Sequence, residues 1–148
     1  MIHYAWIIAF TGTLVTILAH GFGRMSYSVI SPSMKDGLML NYTQLGSIAM
    51  GNFVGYLCLA IIGGILAARF GVRRVVFISL IVVGISLFLT GLADSFLFAF
   101  IMRFITGTGN GGCYVPIMAL PAAWFVARKR GLATGIVSTG VGIGLFIS

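Results

Sequence analysis

Apolar runs recur along the whole chain, broken only by short polar stretches. A run of about eighteen residues or more, rising about 1.5 Å per residue as a helix, is long enough to cross a hydrocarbon layer of about 30 Å. Charged residues make up 7% of the chain and hydrophobic ones 59%, whereas a soluble domain is about 25% charged. The expected fold class is therefore an all-α membrane protein, a single domain over residues 1–148. Spans are expected near residues 4–30, 43–67, 75–92, 95–120 and 131–148, the last still apolar where the sequence stops. The first run has no Lys or Arg before it and no small-residue cleavage site after it, so it is read as a retained helix rather than a signal peptide.

The net charge of +7 does not mark a nucleic-acid surface, because the basic residues sit in clusters between apolar runs and not along one face. They read as topology signals. Arg69, Arg73, Arg74, Arg128, Lys129 and Arg130 fall on one side of the membrane and Lys35 on the other. The basic loops and the N-terminus are then cytoplasmic, and the Lys35 and Asp94 loops lie outside. Pro32, Gly37 and the Lys35–Asp36 pair predict a short aqueous connection. Pro116 and Pro121 invite a kink or a stop, and Trp124 and Phe125 are expected to anchor at the interface. Cys58 and Cys113 both fall inside spans and are read as small packing residues. Neither a metal, a cofactor nor a disulfide framework is expected. Asn41-Tyr42-Thr43 matches a glycosylation sequon but abuts a span and is read as chance.

Against this background the polar residues within spans stand out. Arg103 is flanked by Phe100, Ile101, Phe104 and Ile105; a charge in mid-membrane costs roughly 2.5 to 3.5 kcal/mol on insertion scales, so it should face protein or a water-filled cavity. At about 100° per residue, Arg103, Gly107, Asn110 and Tyr114 share one face of the fourth span. On the first span Thr13, Thr16, His20, Arg24, Tyr27 and Ser31 do the same. Arg24 and Arg103, counted from Ser33 and Ser95, lie about 13 and 12 Å from the outer ends of their helices. Two guanidinium groups at one depth form a candidate anion clamp, although Arg103 latching a neighbouring helix and Arg24 snorkelling outward are competing readings.

The second span carries Gly51 and Gly55 as a close-packing GxxxG surface, with Asn52 and Tyr56 on another face. Asn52, Tyr56, Asn110 and Tyr114 suit either substrate hydrogen bonding or helix contact. His20 is a candidate proton carrier or a buried histidine bonded to a neighbour. The two carboxylates, Asp36 and Asp94, sit at loops, leaving no acidic residue within a span to carry a proton. Gly107, Gly109 and Gly112 have dinucleotide-fingerprint spacing, but the motif needs a preceding strand and an acidic residue about 20 positions on. Gly107, Gly109 and Gly111 are instead assigned to helix packing.

The stretch GGILAARFGVRR, residues 64–74, resembles the signature between the second and third helices of the major facilitator superfamily, commonly GxLaDrxGrRr. Gly64, Leu66, Ala67, Arg69, Phe70, Gly71, Arg73 and Arg74 match it. Ala68 stands where the family usually has an acidic residue. RxxxGxGxG at Arg103, Gly107, Gly109 and Gly111, and RKRGLATG at residues 128–135, resemble the family's fourth and fifth helices. RMSYSVISPSM followed by LNYTQLGSIAMGNFVGY is similar to a bacterial branch whose family name implies no substrate.

The resemblance implies twelve helices in two pseudo-symmetric halves, of which this chain holds four and part of a fifth. It also implies alternating access about a midplane site, with Gly64, Arg69, Gly71, Arg73 and Arg74 in the cytoplasmic gate and a bacterial inner-membrane location. Ala68 puts the acidic part of that gate in doubt. The expected partners are membrane lipid, a small-molecule substrate and the missing C-terminal half, with no nucleic acid. A small organic anion is the expected substrate, with a neutral solute or drug as the alternative. The fifth span lacks the GP pair of the family's drug antiporters. A membrane-embedded enzyme or structural subunit is the reading from another class, but no acid pair or metal-spaced His and Cys supports catalysis.

Overall fold

The computed structural model describes residues 2–125 and 127–147, with side chains at all of these except 2–5, 24–26, 122, 127 and 145. The described chain is a bundle of helices. Helix α1 (Ile2–Thr16), a π-helical segment (Ile17–Met25) and α2 (Ser26–Gly37) follow one another without a break. They are joined by α3 (Tyr42–Phe70), α4 (Val72–Gly91), α5 (Phe96–Trp124) and α6 (Ala127–Ile147). Trp6–Gly37, Tyr42–Phe70 and Val72–Gly91 are each long and apolar enough to cross a membrane.

The connections are shorter than expected. The first helix does not stop at Ile30 but runs on to Gly37 with Pro32 inside it, absorbing the Lys35–Asp36 pair assigned to an aqueous loop. The carbonyls of Met34 and Lys35 are taken up by Leu38 N at 3.0 Å and Leu40 N at 2.9 Å, which closes the turn. The Asn41 of the apparent sequon caps α3: its side chain accepts from Gln44 N at 2.8 Å, and Gln44 Oε1 accepts from Asn41 N at 3.0 Å. This reciprocal capping satisfies donors the helix end leaves orphaned.

Residues 64–74 are likewise not a loop. They are helical on both sides of Gly71, whose φ of 88° and ψ of 137° make the turn alone, in a region of backbone space that side chains disfavour. Ser95 Oγ accepts from Phe98 N at 3.4 Å and caps α5. Helix α5 continues past Leu120 and through both prolines to Trp124, and α6 begins at Ala127 rather than Gly131.

Glycines bring the backbones together. A Cβ on Gly55 would strike the carbonyl of Phe104, one on Gly107 that of Asn52, and one on Gly111 that of Tyr56, so α3 and α5 touch main chain to main chain. Gly109 faces Val83 and Ser79 of α4, and Gly51 sits against the Phe100 ring. With no hydrophobic drive between helices in lipid, such close van der Waals contact is what holds them. A second crossing was not anticipated: Gly144 of α6 lies against Gly21, and Gly140 against Thr13 and Thr16.

Two packing expectations fail. Cys113 is buried, but Cys58 is exposed on the outside of the bundle. Phe125 is no interfacial anchor; it is buried with Ala9 and Ala133 and takes Trp6 edge-on at 5.7 Å. The bend at residue 125 turns that ring back into the bundle, whereas Trp124 remains exposed.

Candidate functional site

The polar face of the first helix and that of α5 meet across the π segment. Arg103 is 1% exposed. Its Nη1 donates to the carbonyl of Gly23 at 3.1 Å, and its guanidinium lies 4.7 Å from the Tyr27 ring centroid. Tyr27 is held in turn, its hydroxyl donating to Leu45 O at 2.8 Å. Asn52 Nδ2 donates to the carbonyl of Arg103 at 3.0 Å, tying α3 to the same residue. The latch reading of Arg103 thus accounts for one of its nitrogens. Nε and Nη2, the edge that grips a carboxylate side-on, have no partner among the described residues.

Asn110 is 1% exposed, and its Oδ1 and Nδ2 likewise lack partners among the described residues. A Cβ on Gly23 would fall 2.6 Å from Asn110 Oδ1. Only a glycine there lets the amide come so near the first helix. Gly23 is therefore the residue on which both Arg103 and Asn110 converge. It carries no side-chain signal, which is why the sequence did not single it out.

Deeper along α5, His20, Tyr56 and Tyr114 form an aromatic cluster from three helices. The His20 ring stands 4.4 Å from that of Tyr114 and 5.9 Å from that of Tyr56. Tyr56 and Tyr114 are 6.5 Å apart. His20 is buried, and the tyrosines are half-buried. The structure thus gathers Arg103, Tyr27, Asn52, Asn110, His20, Tyr56 and Tyr114. The Arg24 side chain, the other half of the candidate clamp, lies outside the described side chains. The Thr106 hydroxyl, 2.8 Å from that of Ser86, is a further polar tie between α5 and α4; both residues are buried, and neither carries a charge or an amide to mark it in the sequence.

The residues assigned to a gate lie apart from this cluster. Gly64, Arg69, Gly71, Arg73 and Arg74 are exposed, with the Arg69 guanidinium 5.6 Å from the Phe70 ring centroid. Arg74 edges a cavity of about 400 Å³ that also meets Leu59, Val75 and Gly109. Arg73 edges one of about 590 Å³ between α1 and α4. Both cavities are lined mostly by apolar side chains, and neither reaches Arg103.

Residues 13–148 match the family model of the Major Facilitator Superfamily. The chain is 31% identical over 113 residues to a probable sulfoacetate transporter of Cupriavidus necator, covering 76% of this chain and 26% of that protein. It is 28% identical to a hexuronate transporter of Bacillus subtilis, covering 84% of this chain and 30% of that protein. With a cis,cis-muconate transport protein of Acinetobacter baylyi it shares 27% identity over 98% of this chain and 35% of that protein. The chain thus spans about a quarter to a third of the length of these relatives. Its apolar helices, polar inner faces and glycine-mediated crossings are those of an integral, multi-pass membrane protein, and the chain belongs to the major facilitator superfamily.

Proposed function

We propose that this chain is the N-terminal portion of a secondary transporter that carries a small organic anion by alternating access. One observation carries the reading: Arg103 is buried with its carboxylate-gripping edge unfilled, while the chain's carboxylates, Asp36 and Asp94, are exposed and remote in sequence from every span centre. A buried cation with no carboxylate beside it among the described residues is costly, so an anion that fills the gap is bound with a large differential gain. Such a gain is what couples ligand binding to a change of conformation. The relatives' names, for sulfoacetate, hexuronate and muconate, are all those of organic anions.

In this reading Arg24 is the second cation of the clamp, and Tyr27, Asn52, His20, Asn110, Tyr56 and Tyr114 line or brace the site. The basic ends of α3 and α6 face the cytoplasm of a bacterial inner membrane, with the N-terminus on the same side. Gly64, Arg69, Gly71, Arg73 and Arg74 serve the cytoplasmic gate, without the usual acid at Ala68. The second pseudo-symmetric half comes from the part of the transporter beyond this chain.

The test is uptake of a panel of carboxylates by the full-length protein in liposomes. Arg103→Ala and Arg24→Ala are each expected to weaken uptake at least about tenfold, as loss of a charge-assisted hydrogen bond implies. Wild-type affinity in both folded variants would rule the clamp out.

A further inference from the structure

We infer that Asn110 is the specificity-determining residue of this site and that the anion it selects carries a hydroxyl group. The inference rests on the organic-anion reading and names the substrate class within it. Its basis is the set of polar atoms left open around Gly23.

Arg103 commits Nη1 to the Gly23 carbonyl and leaves Nε and Nη2 without a partner among the described residues. These two nitrogens lie on one edge of the planar guanidinium, and their parallel N–H bonds match the two oxygens of a carboxylate. Among the described residues Asn110 leaves unpartnered a donor, Nδ2, and an acceptor, Oδ1. A second carboxylate would serve the donor and repel the acceptor. A hydroxyl serves both, because it accepts through a lone pair and donates through its proton.

The proposed anion bridges the two sets. Arg103 and Asn110 share a face of α5, about 10 Å apart along the axis at 1.5 Å per residue. Both side chains also turn toward Gly23: Arg103 Nη1 meets its carbonyl at 3.1 Å, and a Cβ there would fall 2.6 Å from Asn110 Oδ1. Each is 1% exposed, as suits a site that opens only in turn to either side of the membrane. A buried amide with neither end paired is costly, and at this place a hydroxylated carboxylate satisfies it together with the arginine.

The experiment compares matched pairs of anions with the full-length protein in liposomes: D-glucarate against adipate, and malate against succinate. The wild type is expected to take the hydroxylated member of a pair at least about tenfold better in kcat/KM, since an unmet buried polar group is what the other member leaves behind. In Asn110→Ala and Asn110→Leu the preference, read as the ratio of kcat/KM for the two members of a pair, should fall toward unity. Asn110→Ser, which keeps a hydrogen-bonding group, should retain part of it. A general loss of folding lowers both members together and leaves their ratio unchanged.

A wild type that takes both members equally overturns the inference and leaves the organic-anion reading standing, as does a preference that survives in Asn110→Ala and Asn110→Leu. If no carboxylate of either kind enters, the organic-anion reading falls and the inference falls with it.

Discussion

At Arg103 charge and shape make separate contributions. Lysine keeps the charge but is a point donor on a flexible stem, without the parallel N–H pair that fits a carboxylate. Arg103→Lys is therefore expected to raise KM for anion uptake about tenfold or more, with expression and melting temperature near the wild type. Uptake kinetics indistinguishable from the wild type would mean that only the charge matters. Asn52 is different: its amide is already used on the Arg103 carbonyl. Asn52→Ala should cost about 0.6 kcal/mol, the average measured for hydrogen bonds between membrane helices, seen as a small drop in melting temperature with the anion preference unchanged. The polar residues themselves were legible in the sequence, since each is a costly exception in an apolar span. Their partners were not, because Gly23 O, Arg103 O and Leu45 O are backbone atoms that every residue possesses.

Among the elements, the helices were legible and their ends and crossings less so. Long apolar runs fix where helices lie, but Pro32 and Pro116 read as breaks and prove to be interior, because neighbouring helices and local adjustments re-satisfy the carbonyls that a proline leaves behind. The π segment was invisible to a search for 100° periodicity, since its hydrogen bonds skip one residue more than those of an α-helix. It lies where α5 and α6 both press on the first helix through Gly23 and Gly21.

Gly140 and Gly144 repeat the GxxxG spacing of Gly51 and Gly55 and, like them, sit at a helix crossing. The contrast between crowded and open glycines is testable. Gly107→Val and Gly144→Val should fail to give stable protein or lower its melting point sharply, because each new side chain meets backbone that cannot yield. Gly84→Ala and Gly135→Ala, with nothing within 4 Å, should be neutral or stabilising by up to about 1 kcal/mol. Gly71→Ala should cost about 1–3 kcal/mol through its backbone conformation alone, although its surroundings are equally open.

For the molecule as a whole, orientation follows from charge and can be measured directly. The ends of the bundle differ in kind: Arg69, Arg73 and Arg74 cluster at the α3–α4 turn, with Arg128, Lys129 and Arg130 at the start of α6, and all are exposed. Lys35 is balanced by Asp36 beside it and stacks over the Tyr42 ring at 4.1 Å, so the opposite end has no comparable excess. Basic segments stay on the cytoplasmic side during insertion. In the full-length protein with its cysteines replaced, a cysteine at Asp36 should react in intact cells with a maleimide that cannot cross the membrane. One at Lys129 should react only after the cells are opened. The reverse pattern would invert the membrane orientation and place the Gly71 turn outside, where a cytoplasmic gate cannot be. Cys58 and Cys113 must both be replaced first, Cys58 because it is exposed on the bundle's outer face and would give a background signal, Cys113 as a control. The buried Cys113 thiol donates a long hydrogen bond to Val76 O, at 3.7 Å, and is small, so alanine there should leave the fold intact and the labelling pattern readable.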